Sequence, residues 1–583
     1  MVLEQTELGR VEIRDIPLEG LGNDASGTYT ASGRVLVSDR LSEAEWGKDF
    51  FDVYTVRDDG TNRRQIFRGR IPQLPKANGI RWMCAPDNRR ILLGDYVMEC
   101  SPDVDDCRES ALIPLRYPEQ IREAPDVFCR WSEIIIAPDN ETMCWTTLGF
   151  SGAVNYLGRL VREADVYMLE KVCTVSSGMA YEPDPAHEGC VREKEMHGGE
   201  VKQFVCGGRA LALVGNGESN TESVVQPLTV PEKSRVAREQ ESGDPSLLWR
   251  LIEERENPGD DLQITDTPGY EETTIFSPDE TLGVVMSPRF SLRTNCGVFG
   301  LVPQPHSMLT RGGLINTLYM YCVAGVRSFR PGHIGPVLID VARSVREGRA
   351  YQGVDLSDPA GEWVYYSPMS WHPDSTRAMW VERTRPSAGA VRSRLRMCRL
   401  EDREAGHPVP AAAVPEPSQI PYAGLLTESQ TAAGSENGAG SQAVSGSETG
   451  AGSQTAAGQE TGAQSGAAQS GVRLMGRAAG VLVSSAERTV YEHFSDDGET
   501  FYDGFLSVEA PVSFFAPGRT VVEADLRVTG AHTGEMKLRA VFVRESGASP
   551  SRLSFAPDES GQPESRGYAS YDGQTLRIEE MEP

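Results

Sequence analysis

The stretch IFSPDETLGVVM, residues 275–286, sets two short apolar runs on either side of Ser-Pro-Asp-Glu. Proline fixes φ for a turn, and an Asp carboxylate can accept from the backbone N–H groups that follow it. The pattern therefore reads as strand, tight turn and antiparallel strand. The turn recurs as CAPDN at 84–88, IAPDN at 136–140 and WHPDS at 371–375, each followed by a strand-like run: RILLGDYV, TMCWTTLGF and RAMWVER. Two degenerate copies fill the gaps, Gly-Gly in EVKQFVCGGRALALVG at 200–215 and Ser-Gly in GTYTASGRVLVSD at 27–39. Six turns result, near residues 33, 86, 138, 207, 278 and 373.

A second motif accompanies the first. DVYTVRDDGTNRRQIF at 52–67 is a strand, an Asp-Asp-Gly turn and a strand, and comparable third strands are predicted at DVYMLEKV (165–172), TLYMYCV (317–323) and SRLRMCRL (393–400). Turn-and-strand pairs recurring along a chain without a long amphipathic helix describe four-stranded blades. The expected fold is all-β: a six-bladed β-propeller, with seven blades possible. FAPDES at 555–560 lacks a following apolar run and is read as a loop.

FSPDE, WHPDS and DVYTVRDDGTNRRQI resemble the repeats of TolB-like (PD40, WD40-like) β-propellers over roughly residues 25–405. The resemblance implies that the Pro-Asp turn joins the first two strands of a blade and the DDGTN turn the last two. Such propellers serve as binding scaffolds, as gating domains of peptidases and as lyases. The chain departs from that pattern in blades four and five, where 216–261 and the stretch around 288–312 interrupt the repeat.

The chain has 583 residues, 39% of them hydrophobic, and a formal net charge of -27. That length exceeds one ordinary domain unless the domain is a repeat or closed β architecture. The charge argues against nucleic acid and anionic membranes, which need a basic face. The 11 cysteines are scattered and odd in number, with no Cys-x-x-Cys. That usage fits reduced thiols better than a disulfide framework. MVLEQTELGRVEIRD shows no apolar signal region, and no run is long enough to span a membrane. A cytoplasmic location is expected, with export or the cell envelope as the alternative.

The domain reading is a propeller over 1–405, a Pro- then Gly/Ser/Ala/Gln-rich linker over 406–472, and a β-rich domain over 473–583. Residues 427–471 lack aromatics, Lys and Arg, and carry a near twelve-residue repeat. Such composition buries too little apolar surface to order itself, so disorder is expected. A glycosylated stalk is the competing idea and would require export. Beyond it, AGVLVSS, TVVEADLRVTG and MKLRAVFVRES alternate with period two, which predicts a small β-sandwich or sheet. FSDDGETFYDG resembles a segment of β-rich accessory domains in bacterial proteins.

Several chemistries lack their motifs: there is no phosphate-binding Gly-x-x-x-x-Gly-Lys-Ser/Thr, no Gly-x-Ser-x-Gly and no His-Glu-x-x-His. Cys173, His187, Cys190, His197 and Cys206 are of types that suit zinc, but their spacing matches no finger or ribbon, and no metal is assigned to them. In a propeller, ligands bind where innermost strands converge, and inner-strand residues precede each Pro-Asp turn. Those positions hold Arg81, Arg130, His197, Glu200, Glu271, Glu272, Tyr365, Tyr366 and Ser367, of which alternation lets about half face inward. Arg81, Arg130, His197, Glu200, Glu271, Glu272 and Tyr366 are the candidate ligand-binding set at the channel mouth. Arginine could hold a carboxylate there, and paired Glu beside His could do acid–base work. Trp82, Trp131 and Trp371 are read as packing between blades. The expected function is a scaffold binding a small molecule, saccharide or protein. The alternative is a lyase or hydrolase acting on an acidic saccharide. No cofactor is predicted, and a divalent metal in the channel is left open.

Overall fold

The computed structural model describes residues 1–426 and 471–581, apart from 19, 23–24, 41–49, 72–81, 125–126, 150–151, 177–180, 194–198, 217–220, 232–243, 291–296, 306–313, 315–316, 331, 486, 512–516 and 545–552. Its first part is a succession of six four-stranded antiparallel sets in chain order. Their first strands are Ser26–Tyr29, Met83–Cys84, Val127–Ile136, Val201–Val205, Thr274–Phe276 and Trp363–Trp371. These first strands touch one another: the first sheet's with the second's, the third's with the fourth's, the fourth's with the fifth's, the fifth's with the sixth's, and the sixth's with the first's. The remaining joint, between the second and third sheets, is made at their outer strands by the parallel pairs Leu115↔Tyr167 and Arg116↔Met168. First strands are therefore innermost in a closed ring.

The sixth set is completed from the other end of the chain. Gly9–Asp15 adds to Ser393–Leu400 with Val11 opposite Leu400 and Ile13 opposite Cys398, and Val2–Thr6 pairs outside it. Val11 and Ile13 are fully buried. The N-terminal strand thus ties the first and last sets of the ring together, and the free edge of this sheet passes to Val2–Thr6.

All six expected turns lie between first and second strands. In the Pro-Asp copies the residue after Asp is left-handed, at φ 56° for Asn88, 63° for Asn140, 60° for Glu280 and 60° for Ser375. In Asn140, Glu280 and Ser375 that conformation aims the side chain at the preceding sheet's turn, whereas Asn88 donates to Asp105 Oδ2 at 2.6 Å. Asn140 Oδ1 accepts from the Asp87 N–H at 2.7 Å, Glu280 Oε1 from Cys206 N–H at 2.5 Å, and Ser375 Oγ from Asp279 N–H at 3.2 Å. The Asp carboxylates accept locally, as at Asp139 Oδ1 from the N–H groups of Glu141 and Thr142, both at 2.8 Å. Gly33 takes the left-handed place in the first turn (φ 92°), where a Cβ would lie 2.1 Å from His372 Nε2.

Two of the expected third strands are placed differently. Residues 165–172 belong to Val166–Thr174, the outermost strand of the third sheet, because the long Gly152–Glu163 precedes it as third strand. Residues 317–323 are helical: Tyr319–Ala324 forms a wide helical turn continued by Gly325–Ser328. Tyr319 to Val323 are all buried, so the segment has no wet face to alternate with a dry one. The third strand of the fifth sheet is Gly335–Asp340, and Ser393–Leu400 is the third strand of the sixth, as expected.

The C-terminal region is one nine-stranded antiparallel sheet rather than a sandwich. Its apolar face is covered from the propeller: the insertion between Leu282–Ser287 and Gly335–Asp340 sends Phe299 against Phe542, and Tyr321 against Phe542 and Phe555. Val522, Ala524, Leu526 and Val528 share one core with Val298, Leu318 and Val326. Arg330 donates to Leu553 O at 2.5 Å from above the Tyr321 ring.

Residues 406–426, expected as the start of the linker, run over the turn end of the ring. Gly406 N–H donates to Asp374 O at 2.9 Å, Val409 N–H to Pro278 O at 2.8 Å and Ala412 N–H to Gly207 O at 2.8 Å, touching the sixth, fifth and fourth turns in order. Gly424–Leu425 then pairs with Val166–Thr174. These three donors find turn carbonyls, and further on Ile420 is buried in a core cluster with Val414, Tyr422 and Ala423 packed against it. The repeat at 427–470 lies outside the described residues. Among the described residues no helix is long and apolar enough to cross a membrane.

Candidate functional site

The N-terminal ends of the inner strands lie opposite the Pro-Asp turns. In an antiparallel set, the connection from second to third strand returns to that same end. The fifth-sheet insertion therefore rises where the candidate residues gather.

At the centre is Lys202, on the same face of its strand as Glu200 by period two. Its Nζ lies 2.8 Å from Glu200 Oε2, 3.3 Å from Glu133 Oε1 and 3.6 Å from Glu272 Oε1. The four side chains come from the third, fourth and fifth sheets, and all are buried. Ser132 Oγ donates to Glu200 Oε1 at 2.7 Å. Burial pushes the Glu272 carboxyl above its usual range, Lys202 opposes that, and the Glu200 charge adds to it. Tyr270 and Tyr319, both buried, have hydroxyl pKa values raised by burial, with the Glu272 charge a further push on each. A carboxyl so placed beside an ammonium can hold or pass a proton.

Glu271, which like Glu272 lies just ahead of Thr274–Phe276, makes separate contacts. Its Oε1 accepts from Arg289 Nε at 2.9 Å and Nη2 at 2.5 Å, and from Ser287 Oγ at 2.5 Å. Arg327, from the insertion, donates to Tyr365 O at 3.0 Å. Its guanidinium carbon stands 4.8 Å from the Tyr366 ring centre, with Arg383 at 4.7 Å.

Of the candidate set, Glu200 and Glu272 are brought together. Glu271 and Tyr366 belong to neighbouring contacts. Arg130 lies at the joint of the second and third sheets, where it already holds an internal carboxylate: Nε and Nη2 donate to Asp95 at 2.8 and 2.7 Å. Arg81 and His197 lie outside the described residues. Trp82, Trp131 and Trp371 are buried, Trp131 donating to Asp95 at 3.1 Å and Trp371 to Ile275 O at 2.8 Å. Cys173 and Cys206 sit in different core clusters, and His187 Nδ1 is 2.7 Å from Asp184. Among the described residues no group of three or more His, Cys, Asp or Glu is placed to hold a metal. Glu133 and Lys202 were within reach of a sequence reading, since each alternates with strand neighbours just upstream of a turn. Arg289, Tyr319 and Arg327 carry no repeat register and gave no such signal.

The strand order and the ring of inner strands define an all-β propeller joined to a further β-sheet. Known structures that resemble it include TolB from Acinetobacter baumannii, at 9% identity and a TM-score of 0.29 over 66% of this chain and 66% of that one. An oligogalacturonate lyase in complex with manganese follows at 10% identity and 0.32, over 69% and 96%. Prolyl oligopeptidase B from Galerina marginata stands at 11% and 0.22, over 62% and 46%. These scores are low, and the propeller rests on the chain's own strand order. No family model and no curated protein matches the chain.

Proposed function

We propose that the six four-stranded sets are six blades and that the chain is a binding scaffold for a protein or small-molecule partner. The division is a propeller to residue 405, a connecting segment to 472 and an accessory β domain from 473. One observation carries the scaffold reading: the polar groups gathered at the channel end are spent on one another, with Lys202 against Glu133, Glu200 and Glu272, and Glu271 against Arg289. Buried charges paired in this way hold sheets together and are costly to release to a ligand. A companion proposal is a cytoplasmic location, with export as its alternative; fractionation of native cells decides between them.

The second reading is an enzyme working at this end of the channel on an acidic saccharide or related molecule. It is favoured by the raised Glu272 carboxyl among Lys202, Tyr270 and Tyr319, a set able to move protons. The test compares the wild type with Glu272→Gln. The scaffold reading expects partner binding to persist in the folded variant. Abolished turnover of an acidic oligosaccharide with folding intact would establish the enzyme reading instead.

A further inference from the structure

Three cysteines gather in the second sheet, where Cys84 and Cys107 pack against the core cluster that contains Cys100. Cys100 lies on Tyr96–Ser101, which pairs antiparallel with Glu109–Arg116, Ser101 opposite Glu109 and Cys100 opposite Ser110. The Arg108 N–H donates to Ser101 O at 2.8 Å, which closes the hairpin and returns Cys107 to the side of Cys100. The Cys100 thiol hydrogen-bonds to the Cys107 sulfur, and Cys107 in turn donates to Glu109 O at 3.3 Å. Both are free thiols, Cys100 buried and Cys107 partly exposed. The loop between them joins two turns of the ring. Its Asp105 accepts from Asn88 Nδ2 at 2.6 Å in the second sheet's turn, and from Thr30 Oγ1 at 3.1 Å and from Ser32 in the first sheet's turn. The Pro-Asp turns of the third, fifth and sixth sheets reach the preceding turn directly; the second reaches the first through this loop.

Sulfurs already in hydrogen-bond contact at the neck of a hairpin have a short way to close to a disulfide. We propose that Cys100 and Cys107 are a reversible oxidation site for low-molecular-weight disulfides of the glutathione class, and that the bond they form staples the loop joining the first two turns. The exposed thiol reacts first. The Cys107 sulfur, on losing its proton, attacks one sulfur of glutathione disulfide, forming a mixed disulfide and releasing one glutathione, which takes up the proton. The Cys100 sulfur then attacks the Cys107 sulfur and expels the second glutathione, which takes up the Cys100 proton. Two cysteine thiols and one glutathione disulfide give one protein disulfide and two glutathiones, with two electrons passing from the cysteine sulfurs to the glutathione sulfurs. Burial first and Cys107 second raise the Cys100 thiol, which suits Cys107 to lead.

The experiment equilibrates the native full chain with glutathione disulfide at neutral pH, alkylates the remaining thiols and maps the peptides by mass spectrometry. A Cys100–Cys107 linkage in a chain still folded by circular dichroism, erased by excess dithiothreitol, is expected. Both residues recovered alkylated, or either one linked to Cys84 instead, would overturn the proposal. Cys100→Ser should stop at the first step and keep one glutathione on Cys107; if that variant fails to fold, the wild-type map decides alone. The staple is read by hydrogen exchange of the Val104 amide, which donates to Asn88 O at 2.7 Å. It should exchange several-fold more slowly in the oxidised chain, and equal exchange in the two states would overturn the stapling.

Discussion

At the residue scale, the Pro-Asp turn does two jobs, and the sequence exposes only one. Proline and aspartate announce the turn from local chemistry. The residue after them looks interchangeable (Asn, Glu or Ser), yet in Asn140, Glu280 and Ser375 it reaches a backbone N–H in the preceding sheet's turn. That partner lies dozens of residues away, so no local pattern shows it. Asn140→Gly should keep the left-handed backbone but lose the bond, costing about 1 kcal/mol. Asn140→Ala should lose both, costing about 1–2 kcal/mol more. Denaturant unfolding of the two variants checks the order. Lys202 is the opposite case, a buried ammonium within 3.6 Å of three buried carboxylates. Lys202→Met should cost about 3–5 kcal/mol by stranding them. Adding Glu200→Gln and Glu272→Gln should recover much of that loss, measured by the same unfolding curves.

At the element scale, strands with a dry and a wet face were legible and segments without that contrast were not. Ser393–Leu400 and the six turns follow from alternation and turn chemistry. Residues 317–323 are apolar on every side because they fill the space under the C-terminal sheet, and period alone cannot separate such a run from a buried strand. The choice between a sandwich and a small sheet was not legible for the same reason: the alternation in Gly518–Gly530 shows that one face is dry but not what dries it. Phe542→Ala should remove the contact that joins Phe299, Tyr321 and Phe555, at about 3–5 kcal/mol. Its effect should appear in hydrogen exchange of both the insertion and the C-terminal sheet. Removing residues 1–15 strips the strand that completes the sixth set, and calorimetry should show a lower, broader melt.

At the scale of the whole molecule, the channel end carries residues whose types were visible and whose relations were not. Arginine, glutamate and tyrosine upstream of the turns suggested a pocket; in the fold Glu200 and Glu272 meet Lys202, Arg130 meets Asp95, and Glu271 and Tyr366 take Arg289 and Arg327 from an insertion with no repeat register. Pairings at both ends of the ring set the pH response. Burial alone would raise Asp279 and Asp374, but hydrogen bonds and arginine partners outweigh it and hold both below the usual range. Their stabilisation is present above the unfolded carboxylate range and lost as pH falls. Burial raises Glu272 and Glu280, whose contribution is lost as pH rises. Thermal melts should therefore peak on the acid side of neutrality, between about pH 4 and 6. The most direct test of a closed channel end, with its lysine buried among carboxylates, is amine acetylation of the native full chain, read residue by residue by mass spectrometry. Lys171, 54% exposed at its side chain, should label readily, and Lys202, at 1%, should resist until the chain unfolds. Lys202 labelling as fast as Lys171 in the folded protein would contradict the closed cluster and return the channel end to the role of an open site.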